Sequence, residues 1–318
     1  MRILVTGGSG FIGSNLVDAL VEKEHEVVVF DNFSSGNMIN LEKSKEKIKI
    51  ISGDIREAVI VDKLIADVDL VFHLAASVGV NKILDSTLDA ISVNIYGSEV
   101  VLKSATKHNK RIIIASTSEI YGKNTQQPLS EEHDRVIGSP QAIRWSYSDA
   151  KAIEEATAAV LHQTQGLQVT TVRFFNTVGP RQTGKYGMVI PRFVQSAIKQ
   201  QPLKVYGNGK QTRVFCHIDD AIEALLLLSA SSETIGEVYN LGGVGELSIN
   251  ELADKVVNLT KSTSKVEHLP YSEAYSFGYE DMQRRVPDIS KIKKTINWVP
   301  KRDINEIIVD TASYFKNL

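Results

Sequence analysis

Short apolar runs alternate with longer amphipathic stretches along the first half of the chain. Several of these runs are β-branched and lack polar alternation, as in strands that helices cover on both faces of a sheet. The runs fall at residues 3–5, 26–30, 48–51, 70–73, 111–115 and 169–174, and helical periodicity fills residues 11–22, 89–107 and 147–162. This order predicts an α/β protein with a doubly wound parallel sheet and crossover helices.

The rhythm changes after about residue 175, where turns become denser and the segments between them shorter. Helical patterns recur at residues 218–229, 250–260 and 304–315. We therefore predict a large sheet domain over residues 1–175 and a smaller α/β part over residues 176–318, with the two interleaving after residue 175. The smaller part is expected to cover the carboxyl ends of the strands, where open α/β sheets bind ligands.

Composition excludes several classes of partner. The 318 residues carry 36 basic and 38 acidic side chains, so no basic footprint for nucleic acid is present. The apolar runs are too short to span a membrane, and the first residues lack the apolar core of a signal peptide. One cysteine, Cys216, and scattered histidines offer neither a disulfide nor a metal-ligand spacing. A soluble, cytoplasmic protein without metal, membrane or nucleic-acid partners is expected.

A glycine-rich turn follows the first predicted strand and begins the first predicted helix. Gly7, Gly10 and Gly13 leave room for a pyrophosphate, which backbone N–H groups at a helix start can hold. Asp31 ends the second strand about 20 residues further on, where a carboxylate can bind ribose hydroxyls. That carboxylate would repel a 2′-phosphate, and the neighbouring Asn32 offers no compensating cation. The pattern predicts a Rossmann-type NAD site.

A second group of polar residues predicts chemistry at the end of the fifth strand. Tyr147 and Lys151 are four residues apart on a predicted helix, so they share one face. Thr117, Ser118 and Glu119 follow the strand at residues 111–115. A nearby ammonium favours the phenolate, so Lys151 is expected to lower the pKa of Tyr147 and make it a base. The structural alternative for Thr117 and Ser118 is that their hydroxyl groups cap the turn after the strand.

These motifs together resemble the extended short-chain dehydrogenases/reductases, and more narrowly the NAD-dependent epimerase/dehydratase family that acts on sugar nucleotides. The resemblance covers nearly the whole chain, including the segments at residues 73–76, 173–181 and 206–213. It implies that Tyr147 is the base, with Lys151 as its electrostatic helper and as a ligand of the nicotinamide ribose. It implies a catalytic set of Tyr147, Lys151, Thr117, Ser118, Glu119 and Arg285.

The resemblance also assigns the binding residues. The implied NAD-binding residues are Gly7, Gly10, Phe11, Ile12, Gly13, Asp31, Asn32, Asp54, Ile55, Leu74, Ala75, Ala76, Asn94, Tyr147 and Lys151. The implied ligands of a nucleotide sugar, expected to be UDP-linked, are Thr117, Asn176, Arg192, Tyr206, Gln211, Arg213 and Arg285. A homodimer is implied as well, through the helices at residues 89–107 and 147–162, with Ala152, Ala156, Ala158 and Ala159 permitting close approach.

Several reactions share the implied first step, the removal of a hydride from C4 of a hexose. Glu119 and Arg285 resemble residues of UDP-glucuronate decarboxylases, and decarboxylation of UDP-glucuronate is the reaction we favour. A UDP-sugar 4-epimerase is the main alternative, followed by a 4,6-dehydratase, for which Ser118 is too weak an acid unaided. Val286 in place of the lysine usual in decarboxylases and the unmatched loop at residues 77–81 keep these alternatives open. A non-catalytic dinucleotide-binding protein is the remaining class.

Overall fold

A parallel sheet is the centre of the computed structural model, which describes residues 1–78, 86–184, 188–270 and 282–318. The strands are β1 Arg2–Thr6, β2 Glu26–Asp31, β3 Ile48–Ser52, β4 Leu70–His73, β5 Arg111–Thr117, β6 Val169–Phe174, β7 Thr177–Val178, β8 Leu203–Tyr206, β9 Thr212–Arg213, β10 Cys216–His217, β11 Val238–Leu241, β12 Leu247–Ser248, β13 Val266–Leu269 and β14 Arg284–Arg285. The central sheet has the order β11-β6-β5-β4-β1-β2-β3, and every pair in it is parallel.

Helices cover both faces of this sheet. They are α1 Phe11–Glu22, α2 Ala58–Ala66, α3 Thr87–Ser92, α4 Ser98–Lys107, α5 Ser146–Gln165, α6 Val189–Ile198, α7 Ile218–Ala230, α8 Ile249–Thr260, α9 Ser290–Ile296 and α10 Ile304–Lys316. The chain order reverses between β1 and β4, which makes the predicted doubly wound Rossmann-type fold correct. Among the described residues, no helix combines the length and apolar character needed to cross a bilayer.

Two apolar cores lie on opposite faces of the sheet. One is formed with α1 and α7 and includes Leu16, Leu225 and Trp298, which are at most 2% exposed. The other is formed with α2, α4 and α5 and includes Val101 and Ala158. Because apolar side chains of the strands are buried on both faces, the strands read as continuous apolar runs in the sequence.

The part of the chain after residue 175 serves both the large sheet and a separate layer. Strand β11 pairs with β6 at the sheet edge, and α7 packs in one of the two main cores. Helices α6, α8 and α10 form a third core with β8. Segments after residue 175 therefore alternate between the large sheet and the separate layer. The predicted domain boundary at residue 175 stays a prediction.

One predicted helix differs in its course. The stretch at residues 89–107 is not a continuous α-helix, because a π-helical segment, Val93–Gly97, separates α3 from α4. Asn94 lies in this segment and is buried, with its amide bonded to both backbone polar groups of Ser77 at 2.8 and 3.0 Å. The Asn94 side chain thereby holds the loop that follows β4 through Ser77. Single π-helical turns inside α-helices are frequent at functional sites.

Candidate active site

A cleft of about 450 Å³ lies at the carboxyl ends of the central strands. It is lined by the glycine turn, by the ends of β2, β4 and β5, and by α5. The predicted site residues that line it are Gly7, Gly10, Phe11, Ile12, Gly13, Asp31, Asn32, Ile55, Leu74, Ala75, Ala76, Thr117, Ser118, Glu119, Tyr147, Lys151, Asn176 and Arg285. Residues from eight separate segments therefore meet in one cavity of the size that small-molecule sites have.

The glycine turn provides an anion site at the start of α1. Gly10 is the residue before the helix and has no side chain to cap it, so the first N–H groups of α1 face the cleft. A Cβ on Gly7, whose φ is 70°, would lie 2.7 Å from the backbone nitrogen of Ala75. A Cβ on Gly13 would lie 2.2 Å from the carbonyl oxygen of Gly7. The backbone can therefore pack this closely at the turn only with glycine at these two positions.

Asp31 lies where the adenosine ribose of a dinucleotide binds in such folds. Its two carboxylate oxygens accept hydrogen bonds from the backbone N–H groups of Ser9 at 2.9 Å and Phe33 at 2.8 Å. Each oxygen keeps a second lone pair, which can accept a ribose hydroxyl. The two backbone bonds hold the carboxylate toward the glycine turn, so the chain fits NAD at this end of the cleft.

Two predicted cofactor residues do not line the cleft. Asp54 is engaged by Arg56, which donates to its two oxygens at 2.9 and 2.7 Å and holds the pKa of Asp54 below its ordinary value. Asn94 contacts Ser77 instead. Each of the two is next to a residue that does line the cleft. Ile55 follows Asp54 directly in the sequence, and Ser77 is the hydrogen-bond partner of Asn94.

Tyr147 and Thr117 come together at the centre of the cleft. Thr117 hydrogen-bonds to the phenol and also caps the turn after β5 by accepting the N–H of Glu119 at 3.2 Å, so the capping alternative is observed, while contact of Thr117 with a substrate stays a prediction. The expected lowering of the Tyr147 pKa is wrong for the protein without ligands. Burial, and after it the carboxylates of Glu154 and Glu119, raise the pKa of Tyr147 above its ordinary value.

The predicted helper of Tyr147 is held by a carboxylate that the sequence reading missed. Lys151 donates to Glu154 at 2.6 Å, and both side chains are buried. Burial raises the pKa of Glu154, while the adjacent ammonium counters that shift. Glu154 is also one of the carboxylates that raise the pKa of Tyr147.

Glu119 lies between two guanidinium groups. Arg285 donates to one of its oxygens at 2.7 Å, and Arg144 lies 3.5 Å from the other. Burial alone would raise the pKa of Glu119, but Arg285 and Arg144, with a further contribution from Arg213, hold it below the ordinary value. Glu119 is therefore a carboxylate at neutral pH and cannot serve as a proton donor there.

Hydrogen bonds fix this cluster to three separate segments. Arg285 also donates to Asn176 at 2.8 Å, and Asn176 donates to the carbonyl oxygen of Val214 at 2.9 Å. Ser148, at the start of α5, donates to the backbone carbonyl of Glu119 at 2.8 Å. The turn that carries Glu119 is thus tied to the helix that carries Tyr147, and their relative position is fixed.

Four predicted substrate residues form a second group outside the cleft lining. The guanidinium of Arg192 lies over the ring of Tyr206 at 4.3 Å, and Gln211 donates to the Tyr206 carbonyl at 3.2 Å. Arg213 is buried and donates to the Thr212 carbonyl at 2.8 Å. Their assignment to a nucleotide sugar stays a prediction.

Sequence reasoning missed two charged residues of the site. Arg144 lies three residues before Tyr147, and Glu154 lies three residues after Lys151. Helical spacing was the available signal, because residues three, four and seven apart share one face. Of the unmatched loop at residues 77–81, Ser77 and Val78 line the cleft, and the rest lies outside the described residues.

The glycine turn, Asp31 and the Tyr-x-x-x-Lys pair define an NAD-dependent short-chain dehydrogenase/reductase. A model of the family described as GDP-mannose 4,6 dehydratase matches residues 4–311. The chain belongs to this family of extended short-chain dehydrogenases/reductases.

Curated relatives and solved structures agree with this family. The chain is 40% identical to a UDP-N-acetyl-alpha-D-glucosaminuronate decarboxylase of Bacillus cytotoxicus, and the alignment covers 100% of this chain and 98% of that protein. It is 34% identical to UDP-glucuronic acid decarboxylase 1 of Arabidopsis thaliana, covering 100% of this chain and 70% of that protein. The UDP-glucuronic acid 4-epimerase of Bacillus cereus, solved with UDP-glucuronic acid and NAD, superposes with a TM-score of 0.88 at 27% identity, covering 100% of this chain and 99% of that one.

Together these findings make the protein an enzyme of nucleotide-sugar metabolism with NAD as its cofactor. They leave the sugar to be decided from the site.

Proposed function

We propose that this enzyme decarboxylates a UDP-linked hexuronate to a UDP-pentose through a 4-keto intermediate. The observation that carries the proposal is the cluster of Glu119 with Arg285 and Arg144 beside Tyr147. Arg285 lines the cleft, and its guanidinium can hold a carboxylate at C5 of the substrate. A neutral hexose offers nothing to that positive charge.

The first half of the reaction is oxidation at C4. Bound NAD supplies the hydride acceptor for this step and the hydride donor for the last one. Tyr147 takes the proton of the C4 hydroxyl, and Thr117 hydrogen-bonds at the same place and favours the phenolate. Because burial and nearby carboxylates raise the pKa of Tyr147, the residue holds its proton at neutral pH, and the first proton transfer requires stabilisation of the phenolate, to which Thr117 contributes.

The second half is loss of CO2 from C5. With a ketone at C4 the substrate is a β-keto acid, so the bond from C5 to the carboxylate breaks and its electron pair enters an enolate. Arg285, fixed by Glu119 and Asn176, can hold the negative charge that develops. C5 then takes a proton from solvent, and Tyr147 would give its proton back to the C4 oxygen when C4 is reduced. The overall reaction consumes no oxidant.

The experiment is a product analysis with two substrates. UDP-glucuronate is the substrate that the motifs predict, and the 40% identical relative is named for its N-acetylated counterpart. We expect the purified enzyme with NAD to release CO2 and a UDP-pentose, or its N-acetylated form, from at least one of them. A C4 epimer that retains the carboxylate would replace this proposal with the 4-epimerase.

We also propose that the enzyme is a cytoplasmic homodimer. Large apolar side chains are exposed on α5 and on the segment before α4, including Ile153 at 47%, Val160 at 55% and Tyr96 at 48%. Ile153 and Val160 are seven residues apart and share a face of α5. Ala158, named from the sequence as a close-approach residue, is buried in the protein's own core instead, whereas Ala156 and Ala159 are exposed. Sedimentation velocity of the wild type against Val160→Glu tests the dimer.

A further inference from the structure

The buried carboxylate of Glu154 lies outside the cleft lining and contacts Lys151, the residue that the sequence predicts to lower the pKa of Tyr147. Lys151 Nζ donates to Glu154 Oε2 at 2.6 Å, and the two side chains are only 2% and 1% exposed. Taking two charges out of water is expensive, so a pair at this depth holds together only with good geometry. Neither partner can swing to solvent, and Lys151 has one fixed anchor.

Three residues on one face of α5 form this arrangement. Tyr147, Lys151 and Glu154 follow the spacing i, i+4, i+7, which aligns them along the helix. Tyr147 and Lys151 line the cleft, whereas Glu154 does not. Glu154 therefore reaches the ammonium from behind, and the other two N–H donors of Lys151 can serve a ligand in the cleft.

The groups that face Glu154 leave Lys151 as the cation that balances it among the described residues. From β4, His73 Nε2 lies 3.8 Å from Glu154 Oε1, but burial and then the charge of Lys151 lower the pKa of His73 to about 3, so its ring is neutral. From α4, Ser98 contributes a hydroxyl bonded to His73 at 3.1 Å. The adjacent Glu155 has its own partner, Arg173, at 2.8 Å.

We propose that Glu154 is a positioning residue that anchors Lys151 and offsets its charge, so that the ammonium favours the phenolate of Tyr147 less than an unpaired ammonium would. The inference rests on the proposed role of Tyr147 as the base. It agrees with the place of Glu154, after burial, among the causes that raise the pKa of Tyr147. Removing this one negative charge, with Lys151 retained, should favour the phenolate.

The test is Glu154→Gln, which keeps an acceptor oxygen for Lys151 and removes the charge. Tyrosine labelled at ring Cζ, with the Tyr147 resonance assigned by its loss in Tyr147→Phe, reports ionisation by NMR in the NAD-loaded enzyme without a sugar nucleotide. We expect the midpoint of Tyr147 to fall in Glu154→Gln by about one pH unit or more. The acid limb of turnover should move to lower pH by the same amount, which is about a tenfold gain in rate below that limb.

Glu155→Gln is the matched control, because it removes a carboxylate from the next position of α5 and leaves the Lys151 pair intact. It should lower stability and leave both midpoints where they are. If Glu154→Gln does not fold, Glu154→Asp, which draws the charge back by one methylene, should shift the midpoint in the same direction by less. A Tyr147 midpoint that stays or rises in a folded Glu154 variant overturns the inference. Absence of turnover with uronates, while the NMR midpoint still falls, would instead count against the proposed function alone.

Discussion

The two ends of the cleft are built in different ways. At the cofactor end, backbone atoms of one short segment form the site, and a single acid, Asp31, is held by backbone N–H groups. At the sugar end, charged side chains from distant parts of the chain hold one another, as Arg285 does with Glu119, 166 residues away. The cofactor end is therefore sensitive to added volume, and the sugar end is sensitive to the loss of a charge.

The largest effect is expected at the centre, between the two ends. Tyr147→Phe removes one hydroxyl and little volume, so the fold and the cofactor should be retained. Without the base and acid, turnover should fall by about 10²–10⁴-fold. Single-turnover kinetics with a UDP-hexuronate measures this, and NAD affinity serves as the control. Turnover within a few-fold of wild type would remove Tyr147 from the mechanism.

At the sugar end, Arg285→Lys keeps the positive charge and removes the planar guanidinium group. One ammonium cannot reproduce the planar geometry that places Glu119 at 2.7 Å and Asn176 at 2.8 Å from two different nitrogens. We expect CO2 release to fall by about 10²-fold with the 4-keto intermediate accumulating, since oxidation at C4 does not use this arginine. Equal losses in both steps would mean that Arg285 binds the nucleotide and takes no part in decarboxylation.

At the cofactor end, the informative change adds a methyl group. Gly13→Ala in an ordinary helix would stabilise the protein, but here the new Cβ would lie 2.2 Å from a backbone oxygen that cannot move freely. We expect a loss of about 1–3 kcal/mol in unfolding free energy and weaker NAD binding. Gly10→Ala, whose Cβ would lie 3.2 Å from the same oxygen, is the milder control. Stabilisation by Gly13→Ala would show that the turn opens readily.

At low pH, protonation of Glu119 should remove the stabilisation that its ion pairs with Arg285 and Arg144 give to the fold. The pKa of Glu119 is lowered by its guanidinium partners once these overcome burial, so its ion pairs stabilise the fold fully above the ordinary carboxyl pKa of 4.5. This contribution is lost as the pH falls through the lower, folded-state pKa. Denaturant unfolding of the wild type against Glu119→Gln should show a difference that is constant above about pH 5 and shrinks below it. A difference that grows toward low pH has the wrong sign for this account.

The smallest effect is expected for the link between Tyr147 and Glu119. Ser148→Ala removes the hydrogen bond of 2.8 Å that ties the Glu119 turn to α5. A single bond of this kind is worth about 1 kcal/mol, so kcat should fall by about fivefold with KM little changed. Ser146→Ala is the control, since among the residues that the structure describes its hydroxyl bonds within its own turn, to the carbonyl of Ile143 at 2.7 Å.

Sequence reasoning worked best where structure is local. The bounds of α1 and β4 agree with the pattern residue for residue, because each is set by periodicity and turn residues nearby. Strand β11 was missed, since its buried Asn240 breaks the apolar run and is satisfied by groups distant in the sequence, Tyr121 and the carbonyls of Leu129 and Asp288. The π segment around Asn94 was missed for the same reason.

The site shows the same division. The sequence indicates which residues gather in the cleft, because motif positions at strand ends and helix starts converge in this fold. Helical spacing places Lys151 and Glu154 on one face of α5, but it does not reveal that Glu154 is buried, because the groups that cover it, His73 of β4 and Ser98 of α4, are distant in the sequence. The pKa of Tyr147 depends on that tertiary packing, and the expectation from spacing alone had the wrong direction.

The most direct test of the central claim follows the C4 hydrogen through the reaction. In a single turnover, UDP-hexuronate labelled with deuterium at C4 should pass the label transiently to NAD and give a pentose nucleotide that again carries it at C4. In deuterated solvent the same product from unlabelled substrate should gain one deuterium at C5. A pentose formed without label at C4, or CO2 released while C4 never exchanges its hydride with NAD, would contradict a 4-keto intermediate.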